Sequence, residues 1–317
     1  RELGPKAPNF IAFCLNPEMA AEATLQPMRR FGFDAAIVFA DILLTADALG
    51  VEVTFPNGGP RITTPIRRPE DVERIHEPKA ERVRAVSETV AILRRTLPET
   101  KAVIGFSAAP FTLCAYMIEG GTSRDFNTTR RFAHEHPRAF RTLLERAADA
   151  LVPYLLEQAR AGADVLQLFD TWGGVLTPAL YRTAVVPALR RVIEGLGSDR
   201  PPVILFAGIG AEARLEDAAG LGVEALSLDW RTDLGQAYAT LGHRVRLQGN
   251  LDPTILLTTP ERVGEETRAM LLGVPLGRPH LANLGHGILK ETPPENAKAF
   301  VDAVRSYRPE IPESTVA

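Results

Sequence analysis

The stretch DVLQLF, Asp164 to Phe169, is an almost unbroken apolar run that stops at two polar residues, Asp170 and Thr171. Its length and composition suit a strand covered on both faces, the usual state of a strand in a parallel sheet. Upstream, Ala139 to Ala161 has helical periodicity; downstream, Pro178 to Leu196 has it again, and the next apolar run is Val203 to Phe206. A crossover of more than about a dozen residues between two such runs makes a right-handed βαβ unit with parallel strands.

The alternation extends in both directions. Further apolar runs span Asp34 to Phe39, Ala102 to Phe106, Ala225 to Leu228, Arg244 to Gln248 and His280 to Leu284, seven in all. Helical segments between them include Pro260 to Leu272 and Pro69 to Leu97, where Val72, Ile75, Val83, Val86, Val90 and Leu93 recur three to four apart. No Gly/Ser linker or low-complexity stretch divides the units, so a closed barrel suits them better than two open sheets. The expected fold is α/β, a single and somewhat distorted (β/α)8 barrel of the TIM type over residues 1–317. The eighth strand is not evident in the sequence. Val51 to Ile66, with Asn57-Gly58-Gly59-Pro60 at its centre, reads instead as a hairpin inserted after the first strand.

The chain has 317 residues, 45% hydrophobic and 24% charged, enough to bury a large core. A formal net charge of −3 gives no overall attraction to nucleic acid or to an anionic membrane, so a polyanionic ligand needs a local basic pocket. Cys14 and Cys114, the two cysteines, sit in apolar stretches and read as buried thiols, which favours a reducing compartment over a disulfide framework. No run of 18 apolar residues marks a membrane helix. The sequence opens at Arg1, and a segment upstream of it is expected.

In a parallel barrel the chemistry gathers on the loops after the strands. Polar residues follow the apolar runs at Asp41, Ser107, Asp170, Thr171, Asp229, Asn250, Asp252 and His286. A lone Asp in such a place is most often a helix cap; a set of them on one edge is also what a cleft needs. His286 lies between Gly285 and Gly287, which suits a tight turn and equally a ligand close to the backbone. Trp172 and Trp230 follow strand ends too, as packing over the barrel mouth or as walls for a flat ligand. Gly208-Ile209-Gly210 is too little for a dinucleotide fingerprint, and His134 and His136, two apart, face different sides of a helix and make a poor metal pair. No metal site is expected.

Five segments, in their order and spacing, resemble the uroporphyrinogen decarboxylase family: FADILLTADALG (Phe39 to Gly50), GFSAAPFTLCAYMIEGG (Gly105 to Gly121), LQLFDTWGG (Leu166 to Gly174), QGNLDP (Gln248 to Pro253) and NLGHGILKETPPEN (Asn283 to Asn296). Phe10 and TLQPMRRFGFDAAIVF (Thr24 to Phe39) extend the resemblance over essentially the whole chain. It implies a barrel, homodimeric and cytoplasmic, that converts uroporphyrinogen III to coproporphyrinogen III by removing four acetate carboxylates without cofactor or metal. By motif position Asp41 corresponds to the essential, catalytic carboxylate, Tyr116, Thr171 and His286 to residues that contact the tetrapyrrole, and Phe10 to a further binding position. The family's arginine-rich RQAGRYLPEY signature belongs to the segment expected before Arg1. Two rivals are a zinc-dependent methyltransferase of the same fold and a non-catalytic tetrapyrrole-binding barrel. The first needs a His-x-Cys motif where this chain has Leu205-Phe206-Ala207-Gly208.

Overall fold

The computed structural model describes residues 7–56, 60–75 and 79–309. Seven strands form one parallel sheet in the order β1-β4-β5-β6-β7-β8-β9: β1 Ala35–Ile37, β4 Ala102–Ala108, β5 Val165–Phe169, β6 Val203–Phe206, β7 Ala225–Ser227, β8 Arg246–Leu251 and β9 His280–Leu284. Each strand is laid beside the one before it, which curls the sheet into a half-barrel with helices outside. The hairpin expected after β1 is present as β2 (Val53–Thr54) paired antiparallel with β3 (Arg61–Ile62). Its expected turn residues 57–59 lie outside the described residues. The hairpin docks on the helix Pro110–Glu119 through Ile62 N–H to Gly120 O (3.0 Å) and Ile66 N–H to Met117 O (2.9 Å).

Among the described residues the eighth strand of the expected barrel is not found, and β1 and β9 each pair on one side only. The layer of helices spans this seam instead. Arg305, in the last helix Pro294–Ser306, donates to Gly32 O and lies 3.9 Å from Asp34 Oδ1, just ahead of β1. Gly32 ends the helix Pro17–Phe31 at φ 71°, a left-handed conformation that glycine adopts without strain.

The strands are apolar runs because both faces are covered. Outward residues Leu166, Leu168, Val203, Leu205, Leu226, Leu228 and Leu247 are all buried, packed into one core with Val90, Leu93, Leu143, Leu151, Leu189 and Val192 of the helices. Helices begin where the sequence supplies a first-turn proline: Pro17, Pro110, Pro137, Pro260 and Pro294 each take that place, where a missing N–H costs nothing. The segment Pro69 to Leu97 is not one helix. A 3-10 turn, Pro69–Arg74, precedes an α-helix, Ala80–Thr96, and residues 76–78 between them lie outside the described residues. Pro178 to Leu196 is helical, with a π segment at Tyr181–Val185.

The inward face follows from the register. Ile37 pairs with Ile104, Phe106 with Gln167, Phe169 with Phe206, Phe206 with Ser227, Ser227 with Gln248 and Gln248 with Leu281, so all share one side of the sheet. Phe106, Phe169 and Phe206 meet edge to face at 5.6 and 6.2 Å between centroids. At the seam the inward residues are open: Ile37 is 41% exposed and Leu281 37%.

Candidate active site

A parallel sheet puts every strand's C-terminal end on one edge. Asp41 follows β1, Thr171 follows β5 and His286 follows β9, while Tyr116 stands in the helix that leaves β4. All four therefore belong to the same edge of the molecule, as does Phe10, whose ring packs against Phe39 (6.2 Å) beside Asp41 and against Phe55 (4.9 Å) of the hairpin segment.

The loop after β1 holds the Asp41 side chain by one hydrogen bond: the Leu43 N–H donates to Asp41 Oδ1 at 2.8 Å. No other hydrogen bond reaches this carboxylate among the described residues. Burial among Phe39, Ile42 and Leu43 pushes its pKa above the usual carboxylate range, and the Leu43 N–H works against that shift. Tyr116 is buried to 7% exposure. Burial raises its pKa, the indole N–H of Trp172 works against the rise, and the Asp41 charge adds to it, which puts the phenol within electrostatic reach of the carboxylate. Tyr154 and Cys14 feel Asp41 in the same way; burial pushes the Cys14 thiol up to about 12, so it is a neutral, inert group behind the site.

Thr171 sits between Asp170 and Trp172. Its carbonyl accepts from Ile209 N–H at 3.2 Å, which ties the ends of β5 and β6 together. Gly208 makes that approach possible: at φ 86°, a Cβ there would lie 2.3 Å from Asp170 O. Trp172 links Thr171 to Tyr116, with ring centroids 6.5 Å apart, and packs on Phe126 at 4.8 Å. Among the described residues its buried Nε1 makes no hydrogen bond within 3.5 Å, so its N–H acts on the Tyr116 hydroxyl from longer range.

His286 stands apart from these groups. Its ring contacts are Phe206 (6.0 Å) and Trp230 (6.1 Å), and its own side is open to solvent. The surrounding protein lowers its pKa, partly offset by Asp229, so near neutral pH it is an uncharged imidazole with one donor and one acceptor. The flanking glycines have different roles. A Cβ on Gly285 would lie 2.3 Å from Trp230 N, so this glycine allows the ends of β7 and β9 to touch, whereas Gly287 has open space around it.

The other polar strand-end residues are structural. Ser107 is buried 3.5 Å from Thr45 Oγ1; Asp252 caps the turn at Thr254; Asn250, within β8 and not beyond it, donates to Asp229 O and Thr232 O at 2.9 and 2.7 Å. Asp170 is fully buried and accepts from Tyr181 Oη at 2.9 Å and Thr112 Oγ1 at 3.3 Å. Burial pushes its pKa up to about 6, against the hydrogen bond of Tyr181, the charge of Arg214 and the hydrogen bond of Thr112. Arg214, 3% exposed, lies over the Tyr181 ring at 5.0 Å. Neither Tyr181 nor Arg214 stands out in the sequence. The π segment beginning at Tyr181 is the structural mark of this cluster, since such segments gather near functional sites.

Of the large apolar side chains exposed among the described residues, Phe10, Ile37, Leu281 and Ile288 all flank the β1–β9 side of this edge. A half-buried carboxylate with one oxygen spare thus shares this edge with exposed apolar side chains, a buried phenol and a neutral imidazole. That arrangement suits a flat, apolar ligand with polar groups at its centre and periphery. Among the described residues no three His, Cys, Asp or Glu side chains gather as a metal would require.

The profile of the uroporphyrinogen decarboxylase family matches residues 5–307. Two relatives named uroporphyrinogen decarboxylase are similar over most of their length. The one from Coxiella burnetii (strain RSA 493 / Nine Mile phase I) is 44% identical over 313 residues, covering 97% of this chain and 86% of its own. That of Serratia proteamaculans (strain 568) is 42% identical over 308 residues, covering 95% and 86%. Among solved structures, a methyltransferase from Methanosarcina mazei superposes with a TM-score of 0.80 at 23% identity, over 95% of this chain and 89% of that one, a likeness of fold.

Proposed function

The chain belongs to the uroporphyrinogen decarboxylase family, enzymes of porphyrin and heme synthesis that decarboxylate uroporphyrinogen, and from that premise we propose that Asp41 is the group around which the reaction is arranged. The observation that carries the proposal is the half-satisfied carboxylate itself, half-buried on the edge that also carries exposed apolar side chains.

Loss of CO2 from a pyrrole acetate breaks a C–C bond and leaves its electron pair on the side-chain carbon. Protonation of the pyrrole at carbon makes the ring a cation that takes up that pair. CO2 then departs, a second proton on the exocyclic carbon completes the methyl group, and the ring carbon gives up the first proton to restore the aromatic pyrrole. Asp41 lies under the macrocycle in this reading, accepting hydrogen bonds from pyrrole N–H groups through the oxygen that Leu43 leaves free and stabilising the ring cation. In the dry surroundings of Phe39, Ile42 and Leu43, a charge pair about 4 Å apart contributes roughly 4 kcal/mol at an effective dielectric of 20, which is about a thousandfold in rate. Phe10 walls the ring, and Thr171 and His286 contact it from the rim.

Tyr116 donates its phenolic proton to a substrate carboxylate in this arrangement. Tyr116→Phe keeps the ring and its packing on Trp172 and Phe126, so it should raise KM by about tenfold, the value of one hydrogen bond to a charged group, with kcat within a few-fold. Steady-state decarboxylation assays check this.

The whole reading is tested by incubating the full-length protein with uroporphyrinogen III under reducing, oxygen-free conditions and separating the hepta- to tetracarboxylate products. Absence of any loss of carboxylate from a folded sample refutes it. We extend the proposal to one catalytic unit acting as a cytosolic homodimer, as the family resemblance implies, with sedimentation at working concentration as its check. No helix among the described residues is long and apolar enough to cross a membrane.

A further inference from the structure

The substrate class in the proposed reading is a macrocycle fringed with carboxylates, yet the loops that directly follow the barrel strands hold few cations. Across residues 38–43, 109, 170–177, 207–214, 228–233, 252 and 285–293 they are Arg214, Arg231 and Lys290. Arg214 is 3% exposed beneath the surface, and Lys290 lies 3.6 Å from Glu291. Arg231 is different.

Its side chain is 54% exposed, and its guanidinium carbon stands 4.7 Å from the centre of the Trp230 ring. Trp230 in turn meets His286 edge-on at 6.1 Å, and His286 meets Phe206 on the inner face of the sheet. Arg231 Nη1 lies 3.6 Å from Asp229 Oδ2, a fully buried carboxylate whose oxygens already accept from Thr232 Oγ1 at 2.9 Å and Gly210 N–H at 3.0 Å. The buried charge and the indole face therefore fix where the guanidinium sits. They do not use up its donors, and no hydrogen bond from Arg231 forms among the described residues. A planar cation, pre-positioned by stacking and with its N–H fork unspent, is what recognition of a carboxylate needs.

We propose that Arg231 binds a carboxylate of the tetrapyrrole substrate from the β7 side of the cleft, beside His286. The inference rests on the proposed decarboxylase reading. It makes Arg231 a binding residue and gives Asp229 and Trp230 the task of positioning it. Because the neutral His286 contributes no charge, Arg231 supplies the positive potential on this side of the rim.

The test compares wild type, Arg231→Gln and Arg231→Lys in full-length protein, with uroporphyrinogen III as substrate, kcat and KM measured over a range of ionic strength and thermal unfolding recorded on each sample. Arg231→Gln should raise KM about tenfold with kcat within twofold and make kcat/KM less sensitive to salt; Arg231→Lys, which keeps the charge and loses the fork, should recover part of the affinity and most of the salt dependence. An unchanged KM and salt response in folded Arg231→Gln overturns the assignment. So does a pattern in which both variants lose thermal stability and kcat together while the salt response stays that of wild type, since that is the behaviour of a residue serving only Asp229. A wild-type protein that leaves uroporphyrinogen untouched refutes the decarboxylase reading itself, which separates the two failures.

Discussion

Asp41→Asn lowers turnover of uroporphyrinogen by about 10² to 10³ while leaving affinity for the tetrapyrrole close to that of wild type. Asn keeps an oxygen for the Leu43 N–H, so the loop after β1 retains its 2.8 Å anchor and the fold has no reason to change. What disappears is the charge, and it matters most when the ring is cationic; stabilisation specific to that moment appears in kcat and not in ground-state binding. Losing most of a roughly 4 kcal/mol charge interaction sets the expected size. Single-turnover decarboxylation and product binding on the same sample check it, with thermal unfolding alongside. Turnover near the wild-type rate would remove Asp41 from the reaction.

Asp170→Ala is expected to cost about 3–5 kcal/mol of stability, because it strips the buried Tyr181 phenol and the buried Thr112 hydroxyl of their acceptor and removes the negative charge that acts on the buried Arg214 guanidinium. The unfolding temperature should fall by roughly 10 °C or more. The conservative Asp170→Asn isolates the proton. With its pKa raised to about 6 from an ordinary 3.8, Asp170 holds its proton more tightly in the folded state than in the unfolded one. Its contribution to stability is therefore fully present below the ordinary value, declines as pH rises through about 6 and is flat above. The difference in unfolding temperature between wild type and Asp170→Asn should change between pH 4 and pH 6 and be constant from pH 7 upward. A constant difference throughout would mean that folding does not raise the pKa of this carboxyl.

The strands were legible because burial on both faces turns each into a continuous apolar run: Val203–Phe206 and His280–Leu284 have the bounds read from sequence. The end of β8 was not: the strand runs Arg246–Leu251 where Arg244 to Gln248 was expected, since Gly249 and Asn250 look like the start of a loop, and the pairing of Asn250 with Asn283 and its bonds to Asp229 O and Thr232 O show it as part of the strand. The candidate site was legible to the extent that chemistry sits at strand ends, which brought Asp41, Thr171 and His286 to one edge. Residues that act across the fold left no such trace. Arg214 reads in sequence as an ordinary charge on a helix, and it is the crossing of the β5 and β6 loops that buries it against Tyr181. Arg231 was equally silent, because its meaning lies in a tryptophan and a histidine that come from two different loops.

Among the described residues the line between β1 and β9 is crossed by helices and by no strand pairing, which has a mechanical consequence. A closed cylinder of strands is stiff, because widening it anywhere ruptures ladder bonds; a cylinder slit along one line behaves like a split ring, which opens at the slit while every joint elsewhere stays intact. Here the clasp is Arg305 on Gly32 O and Asp34, a contact between exposed groups worth about 1 kcal/mol or less. Ile37 and Leu281 lie on the two sides of this line with their side chains partly open to solvent. Paired on one side only among the described residues, β1 and β9 are expected to exchange their amides faster than β5 and β6, which are paired on both, and hydrogen exchange checks this.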